Sequence, residues 1–95
     1  MITRLVKLTL DPFKEAEFSA LFEENKARIG GAPGCLEVSL HKDIANPGVF
    51  FTISRWESER HLNDYRESPL FGIIWPTVKS WMVDKPQAWS MDAIG

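Results

Sequence analysis

Val49-Phe50-Phe51-Thr52-Ile53-Ser54-Arg55-Trp56-Glu57 is a run of β-branched and aromatic residues, and it reads as a strand. Its two faces differ. Val49, Phe51 and Ile53 point one way, and Phe50, Thr52, Ser54 and Trp56 point the other. Both faces carry apolar groups, so this strand is expected to be covered on both sides.

Working outward, Leu36, Val38 and Leu40 alternate with Glu37, Ser39 and His41, which predicts a preceding strand. Asn46-Pro47-Gly48 is a turn by composition, and a connection of about five residues fits a β-hairpin. Ile2 to Leu10 predicts the first strand, with Ile2, Val6, Leu8 and Leu10 on one face. Arg4 interrupts that face, and Leu5 sits on the other. Asp11-Pro12 supplies an N-cap and a proline at the first helical position. Phe18, Leu21, Phe22 and Ile29 then recur at helical spacing until Gly30-Gly31 and Pro33-Gly34 end the helix. Ser58 caps a short helix to about Glu67. Ser68-Pro69 starts another reaching about Trp75, and Pro76 is expected to kink or restart it through Met82. Pro86 to Met91 is the last strand, with Trp89 and Met91 on one face.

The order strand, helix, strand, strand, helix, strand predicts a two-layer α+β fold. Its antiparallel sheet carries helices on one face. The other face then needs cover, and a second copy of the chain is the simplest candidate. Ninety-five residues without repeat or linker are expected to make a single domain, residues 1–95. A chain this short buries roughly 60–65% of the surface its unfolded form exposes. Yet it carries four tryptophans, six phenylalanines and three methionines, more aromatic surface than one small core uses. The excess points to an interface and to a pocket for an apolar aromatic small molecule.

The bulk numbers also exclude. Eleven basic and 13 acidic residues are interspersed, with no basic stripe, so no nucleic-acid partner is expected. No apolar stretch approaches the roughly 20 residues of a membrane span. Cys35, the only cysteine, cannot form an internal disulfide, and the expected location is the cytoplasm. The N-terminus carries no basic segment followed by a long apolar run, so no signal peptide is expected.

Four segments carry a family resemblance: Pro33-Gly34-Cys35-Leu36, the hairpin ending in Asn46-Pro47, Arg55-Trp56-Glu57, and Ser68-Pro69-Leu70-Phe71. In that order and spacing, they resemble the antibiotic biosynthesis monooxygenase family of the dimeric α+β barrel superfamily. The resemblance implies a ferredoxin-like βαββαβ fold that pairs sheet to sheet as a homodimer, with an apolar pocket between each sheet and its helices. It also implies, for some members, oxygenation of phenols or quinols by O₂ without metal, flavin or haem. Other members of the superfamily degrade haem. At the asparagine, tryptophan and histidine positions those relatives use, this chain has Val6, Tyr65 and Trp75, so haem degradation is disfavoured.

Within such a pocket Trp56 is the first candidate, with its indole N–H aimed at a substrate oxygen; the competing reading is a packing residue that closes the core. Tyr65, the only tyrosine, is a candidate donor to a phenolate, against a helix residue with its hydroxyl in water. His41 and His61 are the only histidines and hence the candidate bases, each weighed against a solvated surface histidine. Trp75, Phe71 and Phe22 are the expected pocket lining. Two histidines and one cysteine, without metal-ligand spacing, give no metal site and no cofactor site. Cys35 reads as a small buried hydrophobe. The expected activity is a cofactor-independent monooxygenase; a non-catalytic small-molecule-binding homodimer is the alternative.

Overall fold

The computed structural model describes residues 1–95 and places the elements in the expected order. These are β1 (Ile2–Thr9), α1 (Glu15–Gly30), β2 (Cys35–Lys42), β3 (Val49–Trp56), α2 (Glu59–Arg66), α3 (Pro69–Trp81) and β4 (Gln87–Met91). The strands form one antiparallel sheet in the order β2-β3-β1-β4, which is the ferredoxin-like α+β arrangement. The run from Val49 therefore occupies the interior of the sheet.

Register sorts the side chains. Arg4, Val6 and Leu8 stand beside Ser54, Thr52 and Phe50, and Ala88 and Ser90 beside Val6 and Arg4. These residues lie on the helix side, with Val38 and Leu40 of β2. The opposite face pairs Leu5 with Ile53 and Trp89, Phe51 with His41 and Lys7, and Thr3 with Met91.

The tightest core lies under the helices, where Leu8, Leu10, Phe18, Phe50 and Val78 pack together. The rings of Phe18 and Phe50 meet edge to face at 4.9 Å. Only 12 of 95 residues are buried, so this core is small, and Trp89 and Met91 on the far face remain 43% and 42% exposed.

Local signals account for the element ends. Ser58 and Ser68 accept backbone N–H groups of His61 and Phe71, each at 3.3 Å, as N-caps should. Three details depart from the sequence reading. Asp11 caps a short 3₁₀ turn, Pro12–Lys14, and the α-helix proper starts at Glu15. There the Glu15 carboxylate accepts the Gly48 N–H at 2.7 Å and Lys42 Nζ at 2.9 Å, tying α1 to the β2–β3 hairpin.

The second departure is α3, which runs unbroken through Pro76. Proline cannot donate to the Gly72 carbonyl, but both residues are exposed, so that carbonyl is not buried without a partner. The third is Cys35, which is half-buried rather than core. Pairing shifts between Cys35 and Glu37, a bulge that turns Leu36 outward, and the thiol reaches the Glu37 carbonyl at 3.7 Å.

Candidate functional site

Beside the core, toward the Trp56 end of β3, the helices stand off the sheet and leave a cavity of about 280 Å³. Its floor comes from the helix-facing positions of the sheet, chiefly Arg4, Val6, Thr52, Ser54 and Trp56. Phe22 of α1 closes one side. Tyr65 and Arg66 of α2, with Phe71 and Trp75 of α3, form the roof.

Four of these rings form a continuous wall. Trp56 meets Tyr65 with centroids 5.1 Å apart, Tyr65 meets Phe71 edge to face at 5.5 Å, and Phe71 stacks on Trp75 at 5.8 Å. Such separations are favourable for aromatic pairs, so the wall is held by its own contacts. The last two rings come together because Phe71 and Trp75 are four residues apart on one helix face.

The structure thus brings together Trp56, Tyr65, Phe71, Trp75 and Phe22. It does not bring in the histidines. His41 lies on the far face of the sheet, opposite Phe51, with its Nε2 2.9 Å from Ser39 Oγ. His61 lines a separate, more polar cleft with Arg28, Asp64 and Ser68. Its Nδ1 is 2.7 Å from Ser58 Oγ, and its Nε2 is 3.9 Å from Glu57. The reason is periodicity: His41 falls on the odd side of β2, away from the helices, and His61 points back toward the start of β2 at Gly34. Tyr65 lines both the cavity and this cleft.

Trp56 is 1% exposed, and its indole N–H donates to Ser54 Oγ at 2.9 Å. That donor is already used, so Trp56 offers the cavity its ring and not its N–H. Burial, then the nearby Cys35 sulfur, push the Tyr65 hydroxyl up to about 12, which keeps it a neutral hydrogen-bond donor. Burial also raises the Cys35 thiol, more than its bond to the Glu37 backbone lowers it.

No Asp, Glu, His or Lys lines the cavity, and its only ionised groups are Arg4 and Arg66. Nowhere in the chain do three or more His, Cys, Asp or Glu side chains gather in a metal-binding cluster. Sequence reasoning missed Arg4, Arg66 and Ser54. For Arg4 the signal was visible as a charge interrupting the apolar face of β1. Val6, Tyr65 and Trp75, the positions compared with haem-degrading relatives, all lie on the cavity wall. No helix is long and apolar enough to cross a membrane.

Comparison with known proteins agrees with this architecture. An antibiotic biosynthesis monooxygenase superposes with a TM-score of 0.92 at 21% identity, over 100% of both chains. A protein from Caulobacter crescentus CB15 superposes at 0.90 with 24% identity, over 99% of this chain and 90% of its own. A conserved protein from Methanosarcina mazei Go1 superposes at 0.87 with 21% identity, over 96% and 91%. These likenesses speak to the fold. No curated protein matches the sequence. The sequence profile described as antibiotic biosynthesis monooxygenase matches residues 1–73, well over half of the chain. The chain belongs to the antibiotic biosynthesis monooxygenase family.

Proposed function

We propose that residues 1–95 form one domain that acts as a cytoplasmic homodimer and oxidises a small aromatic phenol or quinol with O₂, without a cofactor. The observation that carries this reading is the cavity walled by Trp56, Tyr65, Phe71 and Trp75. At about 280 Å³ it falls just below the usual range of ligand pockets, about 300 to 1,000 Å³, which suits a small ligand.

The chemistry asks little of the protein. A phenol bearing a ring CH₂, as in an anthrone, supplies all the electrons. The CH₂ loses both hydrogens and becomes a carbonyl with one oxygen atom, and the second oxygen leaves as water. The protein must hold the ionised substrate oxygen and exclude bulk water. Tyr65, held neutral, donates to that oxygen, and the ring system lies against the aromatic wall that runs from Trp56 to Trp75. With neither histidine in the cavity, water takes the proton. No histidine stands in the lining to ligate haem iron, so haem degradation stays disfavoured.

The absence of any Asp, Glu or His from the lining favours a second reading, a non-catalytic dimer that binds the same class of ligand. Oxygen uptake by the purified protein, with chelator present, over a panel of anthrones and naphthalenediols decides between them. Catalysed uptake is the expected result. Thermal stabilisation by these compounds without uptake gives the binding dimer instead.

A further inference from the structure

We propose that Arg4 and Arg66 form an anion clamp at the rim of the cavity, and that its ligand is an aromatic body bearing an ionised oxygen group such as a carboxylate. This rests on reading the cavity as a small-molecule site and adds the charge of the molecule it takes.

Arg4 is the one charged residue among the helix-facing positions of β1, between Ile2 and Val6, and it is half-buried. Arg66 ends α2, next in sequence to Tyr65, and is exposed, so it stands where the cavity meets solvent. Both line the cavity, whose lining contains no carboxylate. Neither takes part in the chain's ion pairs, which join Lys42 to Glu15, Arg55 to Glu37 and His61 to Glu57.

Arg4 Nη1 donates to Ser90 Oγ at 3.0 Å across the β1–β4 register. A guanidinium has five N–H donors, so that one bond anchors the fork and leaves the rest for another acceptor. Two cations on the lining of one cavity, neither of them in an ion pair, repel each other. Burial first, and then the Arg66 charge, pull the Arg4 guanidinium below its ordinary value, though it stays charged at neutral pH. An anion between the two removes that repulsion and takes charge-assisted, bidentate hydrogen bonds. A cation in the last turn of α2 also suits the helix dipole, which gives Arg66 a structural reason to be there. That reason does not extend to Arg4, which sits on a strand. Tyr65, as the neutral donor beside Arg66, completes a polar rim around an otherwise apolar chamber.

The test compares 2-naphthoate with 2-naphthylmethanol, which has the same ring system and no charge, by calorimetry at neutral pH and low salt. The wild-type protein is expected to bind the carboxylate at least about tenfold more tightly than the alcohol. Raising the salt is expected to shrink that preference. Arg66→Gln, at an exposed helix end, is expected to cut the preference severalfold, and Arg4→Gln with Arg66→Gln to abolish it. Circular dichroism and melting curves follow the fold of each variant. Arg4→Lys keeps the charge but loses the fork, so it is expected to retain part of the preference, and it serves if Arg4→Gln does not fold. Equal binding of both probes to the wild type, or a preference that survives the double substitution, overturns the clamp while leaving the cavity as a ligand site. Failure of both probes to bind overturns the clamp and the cavity reading together.

Discussion

The indole N–H of Trp56 donates to the hydroxyl of Ser54, two residues earlier on the same face of β3, at 2.9 Å and out of contact with solvent. The pair shares the floor of the cavity with Arg4 and Thr52. Removing the acceptor strands a buried donor. Ser54→Ala is therefore expected to lower stability by about 1–3 kcal/mol, read as a shift of the urea midpoint at constant slope. Trp56→Phe should cost a similar amount by unpairing the Ser54 hydroxyl and opening space, and should also weaken aromatic ligands. A Ser54→Ala protein as stable as the wild type would show that water reaches the indole.

Tyr65 is the only tyrosine, so its ionisation can be followed directly by near-ultraviolet absorbance. The midpoint is expected near the value of about 12 set by burial and by Cys35, above the ordinary 10. Because the folded state holds this proton more tightly than the unfolded state, stability is unaffected below about pH 10. It falls as the pH rises from there toward 12. Tyr65→Phe removes that part of the alkaline loss. It should weaken binding of 1-naphthol and leave stability at neutral pH within about 0.5 kcal/mol.

Glu15 gives the opposite sign. Its carboxyl is held below the usual carboxylate range, first by the Gly48 N–H and then by Lys42. The stability it contributes is present above its ordinary value of 4.5 and is lost as the pH falls through the depressed one. Acid titration of the urea midpoint should therefore show a smaller decline for Glu15→Gln than for the wild type. Equal declines would mean that the tie between α1 and the hairpin does not depend on charge.

Gly34 has φ +79°, and a Cβ placed there would run into the ring of His61. Its carbonyl also accepts the Glu57 N–H at 2.8 Å, so the turn cannot shift without loosening the end of β3. Gly34→Ala is expected to cost more than about 2 kcal/mol, checked by thermal and urea unfolding.

The far face of the sheet bears on the proposed dimer. Leu5, Phe51 and Ile53 lie there with Trp89 and Met91, and the helices cover none of them. Sedimentation at micromolar concentration should give about twice the 10.8 kDa chain mass, and Trp89→Glu should return it to one. A wild-type monomer would leave this apolar face without an explanation.

The fold was legible where the signals are local. Ser58 and Ser68 marked helix starts, and the alternation in Val49–Glu57 marked a strand with two apolar faces, because capping and alternation act over a few residues. Phe71 and Trp75 could be paired by helical spacing. Whether His41 or His61 met the cavity was not legible, because it depends on which side of β2 the helices cover and on how α2 docks. Arg4 and Arg66 become neighbours only through tertiary structure. The Ser54–Trp56 bond was within reach of the sequence, since residues two apart on a strand share a face. Trp56 was instead read as a free donor because its partner is an unremarkable serine.

β4 gives the cavity one wall of a different kind. All five of its residues are exposed, it pairs with β1 alone, and it carries the Ser90 hydroxyl that anchors Arg4. A strand paired on one side only opens at a lower free energy than β1 or β3, which sit between neighbours. Its amides should exchange with solvent deuterium through partial openings that leave the rest of the sheet protected. Each opening would both widen the chamber and release the guanidinium, so the exchange rate of those β4 amides that bond to β1 would count how often the chamber is unlatched.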